Sequence, residues 1–405
     1  MKARLRSLVL VFVCGGIVPA IAEAQMPAVN APDERSRVQL GPLGLRPGIA
    51  LTNFGVDTNV FNETETPKSD FTFTVTPRLD ASFRMRRTRL NVATRSNLVY
   101  FQQYSSERSA DGAIDGRFEV RGTRATPWVS SSYDSARQRF GYEVDLRLRR
   151  IVRDVGAGVD LRVGGRTQAV ISAHRTEFEH DPDSIFSGSS VRDVLNRRSD
   201  ALGVDVRYKL TPLTTFVVGA QTIRDRFPFT SLRDTDSLRV DAGFDTTPLA
   251  LISGRGRVGY RTLNGAGAMP DYSGVVASVS AGSTIKGRTR VDVFSDRDVN
   301  YSVEAAYPYF LLSGVSAAVT PRLSQHWDAQ ARTGVQRLAY RVAEGFSNAL
   351  PHRVDTYALV GAGLGYHMTS DMRIGFNIDR ERRQSPVQRR DYLGYRTGIS
   401  VTYGR

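Results

Sequence analysis

The sequence predicts an all-β protein, a transmembrane antiparallel up-and-down β-barrel of about 18 strands with short periplasmic turns and longer extracellular loops. Three observations predict it. Apolar and charged residues alternate with period two over long stretches. Eight tight polar turns recur every 35 to 48 residues or so. The connections between successive hairpins are longer and more polar than those turns, an asymmetry that a soluble sandwich or propeller does not need.

Residues 1–24 read as a secretory signal: Lys2, Arg4 and Arg6 precede the apolar run 8–18, and Ala22-Glu23-Ala24 is a cleavage site before Gln25. The sole cysteine, Cys14, lies inside it. Val13 stands where a lipoprotein signal wants a small residue, so the mature chain carries no cysteine and no disulfide. Residues 25–45 form a Pro- and Gly-containing periplasmic lead-in, and 46–405 the barrel. No later run approaches the roughly 18 apolar residues of a spanning helix.

In chain order, a first strand over 46–61 leads into the polar stretch 62–70. Turns then fall near 86, 125, 164, 212, 248, 286, 321 and 369, with Pro212, Pro248 and Pro321 in them, where proline costs no ladder hydrogen bond. Longer loops occupy 180–200, 263–273, 342–353 and 382–391, and a last strand covers 392–404. An even strand number returns both ends of the barrel to the periplasmic side.

The faces follow from the alternation. Leu202, Val204, Val206 and Tyr208 interleave with Asp205 and Arg207; Leu79, Ala81 and Phe83 with Arg78, Asp80 and Arg84; Val159, Leu161 and Val163 with Asp160 and Arg162. The same reading gives Arg239 and Asp241, Arg290 and Asp292, Arg373 and Asp379. Eighteen apolar faces cannot share one packed core, because a barrel of that width is too wide for side chains to fill. They therefore meet lipid, and these thirteen charged residues line a polar lumen. Aromatics toward strand ends (Phe61, Tyr100, Phe101, Tyr307, Tyr309, Tyr340, Tyr395, Tyr403) suit an interfacial girdle or an ordinary strand preference.

The net charge is +14, and 51 of the 55 basic residues are Arg. They are spread along the chain without a nucleic-acid-binding motif, so no nucleic acid partner is expected. The lumen Arg–Asp pairs admit two readings, a path for anionic solutes or mutual neutralisation in cross-strand ladders. Surplus charge falls at a turn, "RMRR" (84–87), and at the loops "NRR" (196–198), "RERR" (380–383) and "QRR" (388–390); the basic outer loops are expected to hold lipopolysaccharide phosphates or an acidic polysaccharide, with weak anion selectivity in the pore itself. None of His174, His180, His326, His352 and His367 has metal-ligand spacing, and His180 with Asp181 and Asp183 lacks the glycine and terminal Glu of a calcium loop. No metal or cofactor is expected. A barrel enzyme acting on lipid or peptide at the rim is the alternative class, with His174 near Glu177 and His326 near Asp328 as its candidate pairs.

The stretch 40–63, "LGPLGLRPGIALTNFGVDTNVFNE", above all "GVDTNVF" (55–61), with "GYEVDLRLRR" (141–150) and "VGAGVDLRVGGRT" (155–167), resembles the putative β-barrel porin 2 family. The resemblance spans about residues 40–405. It implies an outer-membrane barrel, in some relatives linked to exopolysaccharide export. No enzymatic activity is expected of this chain, and its expected partners are outer-membrane lipid and lipopolysaccharide, with an acidic polysaccharide or polysaccharide-export components. The resemblance also implies insertion by the barrel-assembly machinery, which reads a terminal aromatic; here Gly404 and Arg405 follow Tyr403.

Overall fold

The computed structural model describes residues 38–139, 141–267, 269–346 and 349–404. The expected signal sequence, Cys14 and most of the lead-in lie outside them. Eighteen long strands form the wall. They are β1 (Leu43–Asp57), β2 (Asp70–Met85), β3 (Thr88–Phe101), β4 (Ser109–Val120), β5 (Ala125–Gln138) and β6 (Leu148–Arg162). Next come β7 (Thr167–His180), β8 (Arg197–Lys209), β9 (Thr214–Arg226), β10 (Thr235–Thr246), β11 (Ile252–Gly265) and β12 (Tyr272–Ile285). The last six are β13 (Thr289–Tyr301), β14 (Tyr309–Pro321), β15 (Trp327–Arg341), β16 (Val354–His367), β17 (Met372–Gln384) and β18 (Tyr392–Tyr403).

Each strand pairs antiparallel with the next, and β1 also pairs with β18, so the sheet closes on itself. Closure gives every wall strand a partner on both sides, which hydrocarbon demands. The seam is pinned from inside, where Arg396 on β18 meets Asp57 on β1 at 3.2 Å and Glu381 on β17 at 3.5 Å. β1 starts below the seam: its first partner on β18 is the Ile49–Tyr403 pair. A short leading strand, Val38–Leu40, pairs back on Leu43–Leu45 and covers part of that free edge.

All eight turns fall where the sequence places them, the shortest at 86–87 and the longest at 247–251 and 322–326. Boundaries differ. β1 ends at Asp57 because Asn59 organises the following loop: its side chain accepts from the Glu63 amide at 2.9 Å and donates to the Leu393 carbonyl at 3.2 Å. The "RERR" stretch is not a loop but part of β17. A bulge in β1, with Asn53 in the left-handed region at φ 54°, shifts its register against β2 and β18. Outward residues change there from Ile49 to Phe54 and Val56, all exposed.

Leu202, Val204, Val206 and Tyr208 on β8, Leu238 and Val240 on β10, and Phe376 and Ile378 on β17 are exposed on the outer surface. The charged residues between them make contacts that skip strands: Arg239 on β10 reaches Asp298 on β13 at 3.3 Å, and Arg332 on β15 bonds Asp379 on β17. Such contacts are possible only across the concave side of a closed sheet. The girdle expectation needs correction. Tyr395 and Tyr403 are exposed on the outer surface, but Phe101, Tyr307, Tyr309 and Tyr340 are buried. Tyr307 and Tyr340 pack with Phe310, Leu312 and Leu338 in a cluster where loops cover the barrel end.

Candidate functional site

The two ends of the barrel interior differ. Toward the short turns it is open: Arg78, Asp80, Arg84 and Arg162 are exposed, and Arg78 donates to the Gly404 carbonyl at 2.6 Å. The remaining predicted lumen residues are paired. Arg207 lies 3.6 Å from Asp205, Arg239 2.9 Å from Asp241 and Arg290 2.7 Å from Asp292. These partners are two apart on one strand and so share a face. Asp160 accepts from the Trp128 indole at 3.2 Å, Asp379 is taken by Arg332, and Arg373 meets Asp328 at 2.6 Å. Arg261 and Arg257 extend the pattern through Asp298 and Asp245.

Toward the long loops the interior is closed. The loop 139–147, between β5 and β6, leaves its own wall and is held from the other side. Arg383 on β17 donates to the Tyr142 and Glu143 carbonyls at 2.8 and 3.1 Å and to both Asp145 carboxylate oxygens at 3.0 and 3.1 Å. Its other terminal nitrogen meets Asp355 on β16 at 2.6 Å. Arg353 brackets Asp355 and reaches Glu304 at 2.8 Å, with its guanidinium 4.0 Å above the Tyr340 ring. Arg390 bonds Glu304 at 2.8 Å and the Glu143 carbonyl. Arg353, Arg383 and Asp355 are at most 2% exposed. Charges so buried are stable only with every partner present.

Glu143 points into loop 302–308, accepting from the Ser302 hydroxyl at 2.6 Å and the Val303 amide at 3.0 Å. Burial raises its carboxyl above the ordinary 4.5, against the pull of Ser302 and Arg390. Beside it Val144, Phe186, Val191, Leu195 and Val303 form an apolar cluster drawn from three loops. Arg233, in loop 227–234, donates to the Val194, Ser302 and Pro308 carbonyls at 3.0, 2.7 and 2.8 Å, and burial pushes its guanidinium down to about 10. A cavity of about 180 Å³ remains at this end, lined by Val60, Phe61, Glu107, Arg137, Arg139 and Asp145 among others.

The basic outer loops expected from the sequence are largely spent in these contacts. Arg383 and Arg390 are buried, and Arg197 lies over the Phe178 ring at 3.8 Å. Arg198 pairs with Asp200 and Arg389 with Glu65. Arg380 and Arg382 remain exposed on the outer surface. The candidate enzyme pairs do not assemble. His174 and Glu177 are three apart on a strand and face opposite ways; His174 instead meets Asp154 at 3.3 Å. His326 stacks on Tyr366 in an exposed turn, while Asp328 holds His367 at 2.6 Å and Arg373. His180 bonds Asn196, and among the described residues no cluster of three metal-ligating side chains occurs.

A family model described as "Putative beta-barrel porin 2" matches residues 38–405. No curated protein matches the chain. Among solved structures, a BenF-like porin from Pseudomonas fluorescens Pf-5 is similar at 11% identity and a TM-score of 0.50, covering 89% of this chain and 99% of its own. The outer membrane protein opdK from Pseudomonas aeruginosa is similar at 10% identity and a TM-score of 0.47, covering 89% and 98%. The first likeness supports the fold. A closed 18-stranded wall with an apolar outside and a charged inside, matched over its whole length, places the chain in the putative beta-barrel porin 2 family, as a porin-like barrel of the bacterial outer membrane.

Proposed function

We propose that the barrel passes small hydrophilic solutes, and that the arrangement described is its restricted state. The observation that carries this reading is loop 139–147, which crosses the interior and is tied to the far wall by Arg383, while the interior behind it is open and charged. A wall built only to anchor a protein has no use for a polar interior closed at one end. Lumen charges are mostly neutralised in pairs, which supports weak ion selectivity over a strong anion filter. Passage of an exopolysaccharide would require loop 139–147 to leave the interior, since the loop is tied across it to the far wall by Arg383.

Planar-bilayer recording tests the reading. Wild type should give small current steps, and Arg383→Ala, which removes both hydrogen bonds to the Asp145 carboxylate and the tie to Asp355, should raise single-channel conductance several-fold. A protein silent in both forms, in a correctly folded barrel, would overturn it.

A further inference from the structure

We propose that the basic short turns bind the phosphates of anionic phospholipids in the periplasmic leaflet. The charge is concentrated there. Arg86, Arg87, Arg124, Arg166, Arg288 and Arg322 are all exposed, and among the described residues none has an acidic partner. At the other end Arg153–Glu179, Arg175–Asp200 and Arg226–Asp236 are paired, and the exposed Arg380 and Arg382 lie along strand β17 rather than on a turn.

Neighbouring turns bring these residues together. The Arg121 amide donates to the Arg87 carbonyl and the Arg162 amide to the Arg124 carbonyl, both at 2.7 Å; the Arg322 amide donates to the Arg288 carbonyl at 2.8 Å. The result is two basic arcs, one over turns 86–87, 121–124 and 163–166, the other over 286–288 and 322–326. Two of the basic residues occupy backbone that disfavours them. Arg86 and Lys286 have φ of 47° and 50°, where glycine or asparagine would fit with less strain. Strained positions filled against local preference point to a task for the side chain.

The apolar surroundings select a lipid over a soluble polyanion. Exposed Met85, Val120, Val163, Ile285 and Leu323 stand within a few residues of the basic tips, continuing the lipid-facing band to the edge of the turns. The two turns between the arcs carry instead Leu210, Leu213, Leu249 and Leu251, the last two 86% and 82% exposed. Apolar tips between two arcs of guanidinium groups suit acyl chains beside phosphates. A soluble acidic polymer would leave these leucines without a role.

The test measures lipid retention by the full-length protein, purified in mild detergent and equilibrated with mixed phosphatidylethanolamine and phosphatidylglycerol vesicles. Wild type should enrich phosphatidylglycerol about tenfold, and the enrichment should fall with added salt. With each basic residue contributing up to about fivefold at a charged surface, Arg86→Ser/Arg87→Ser/Arg124→Ser should lower the ratio about two- to threefold, the second arc retaining the rest. Arg380→Ser/Arg382→Ser should leave it unchanged. If the triple variant misfolds, the salt titration of wild type decides. No enrichment in wild type, enrichment indifferent to salt, or equal enrichment in the triple variant would overturn the proposal. So would binding of soluble polygalacturonate by wild type without phosphatidylglycerol enrichment. Conductance, recorded separately, should be unaltered in the triple variant, so this proposal and the transport reading fail independently.

Discussion

Glu143 is a carboxyl whose proton is linked to the position of the loop that carries it. Docked, it is buried and its pKa lies above 4.5; undocked in water it returns to the ordinary value. The docked state therefore binds the proton more tightly. Docking is fully supported below pH 4.5 and weakens as pH rises through the raised value. Conductance should accordingly increase with pH over that window, and Glu143→Gln, which keeps the hydrogen bond from Ser302 without the charge, should flatten the dependence. A pH series of single-channel recordings on the two proteins checks this; an unchanged profile in the variant would place the titrating group elsewhere. Asn59 acts at the same scale on a different loop. Asn59→Ala leaves the Glu63 amide and the Leu393 carbonyl unpaired, and should cost about 1–3 kcal/mol locally. Faster proteolytic nicking within 58–69, with the wall intact, is the expected readout.

Among elements, strands and turns were legible in the sequence and the loop closure was not. A strand announces itself through its neighbours two residues away, so Leu202 to Tyr208 and Arg373 to Asp379 sort into faces without reference to the rest of the chain. The bulge at Asn53 escaped because one extra residue inverts the faces midway along β1. The closed end escaped for another reason. Arg353, Arg383, Arg390, Glu143, Asp145 and Glu304 come from separate segments, and no local pattern joins them. One signal was present: Tyr142, Val144 and Val303 are apolar residues in outer loops, where water would otherwise meet them, and all three pack inward. The arginines read as a basic outer rim are instead the ties of this closure, since a guanidinium with several fixed acceptors suits a buried site better than a solvated one.

For the molecule as a whole, closure of the wall depends on the β1–β18 seam. Arg396→Ala strands Asp57 and Glu381 inside the barrel; breaking such a buried pair costs about 3–5 kcal/mol. The unboiled protein should keep its distinct electrophoretic mobility in mild detergent, and the variant should lose it at a lower temperature than wild type. The apolar exterior, the polar interior and the match over residues 38–405 make this an outer-membrane barrel. Its transport reading rests on loop 139–147 as the obstruction. The most direct measurement is the single-channel conductance of a protein in which residues 141–146 are replaced by a short Gly-Ser linker. Removing the loop should convert a small conductance into a several-fold larger one with similar ion selectivity. An unchanged conductance in the folded, membrane-inserted variant would contradict the account.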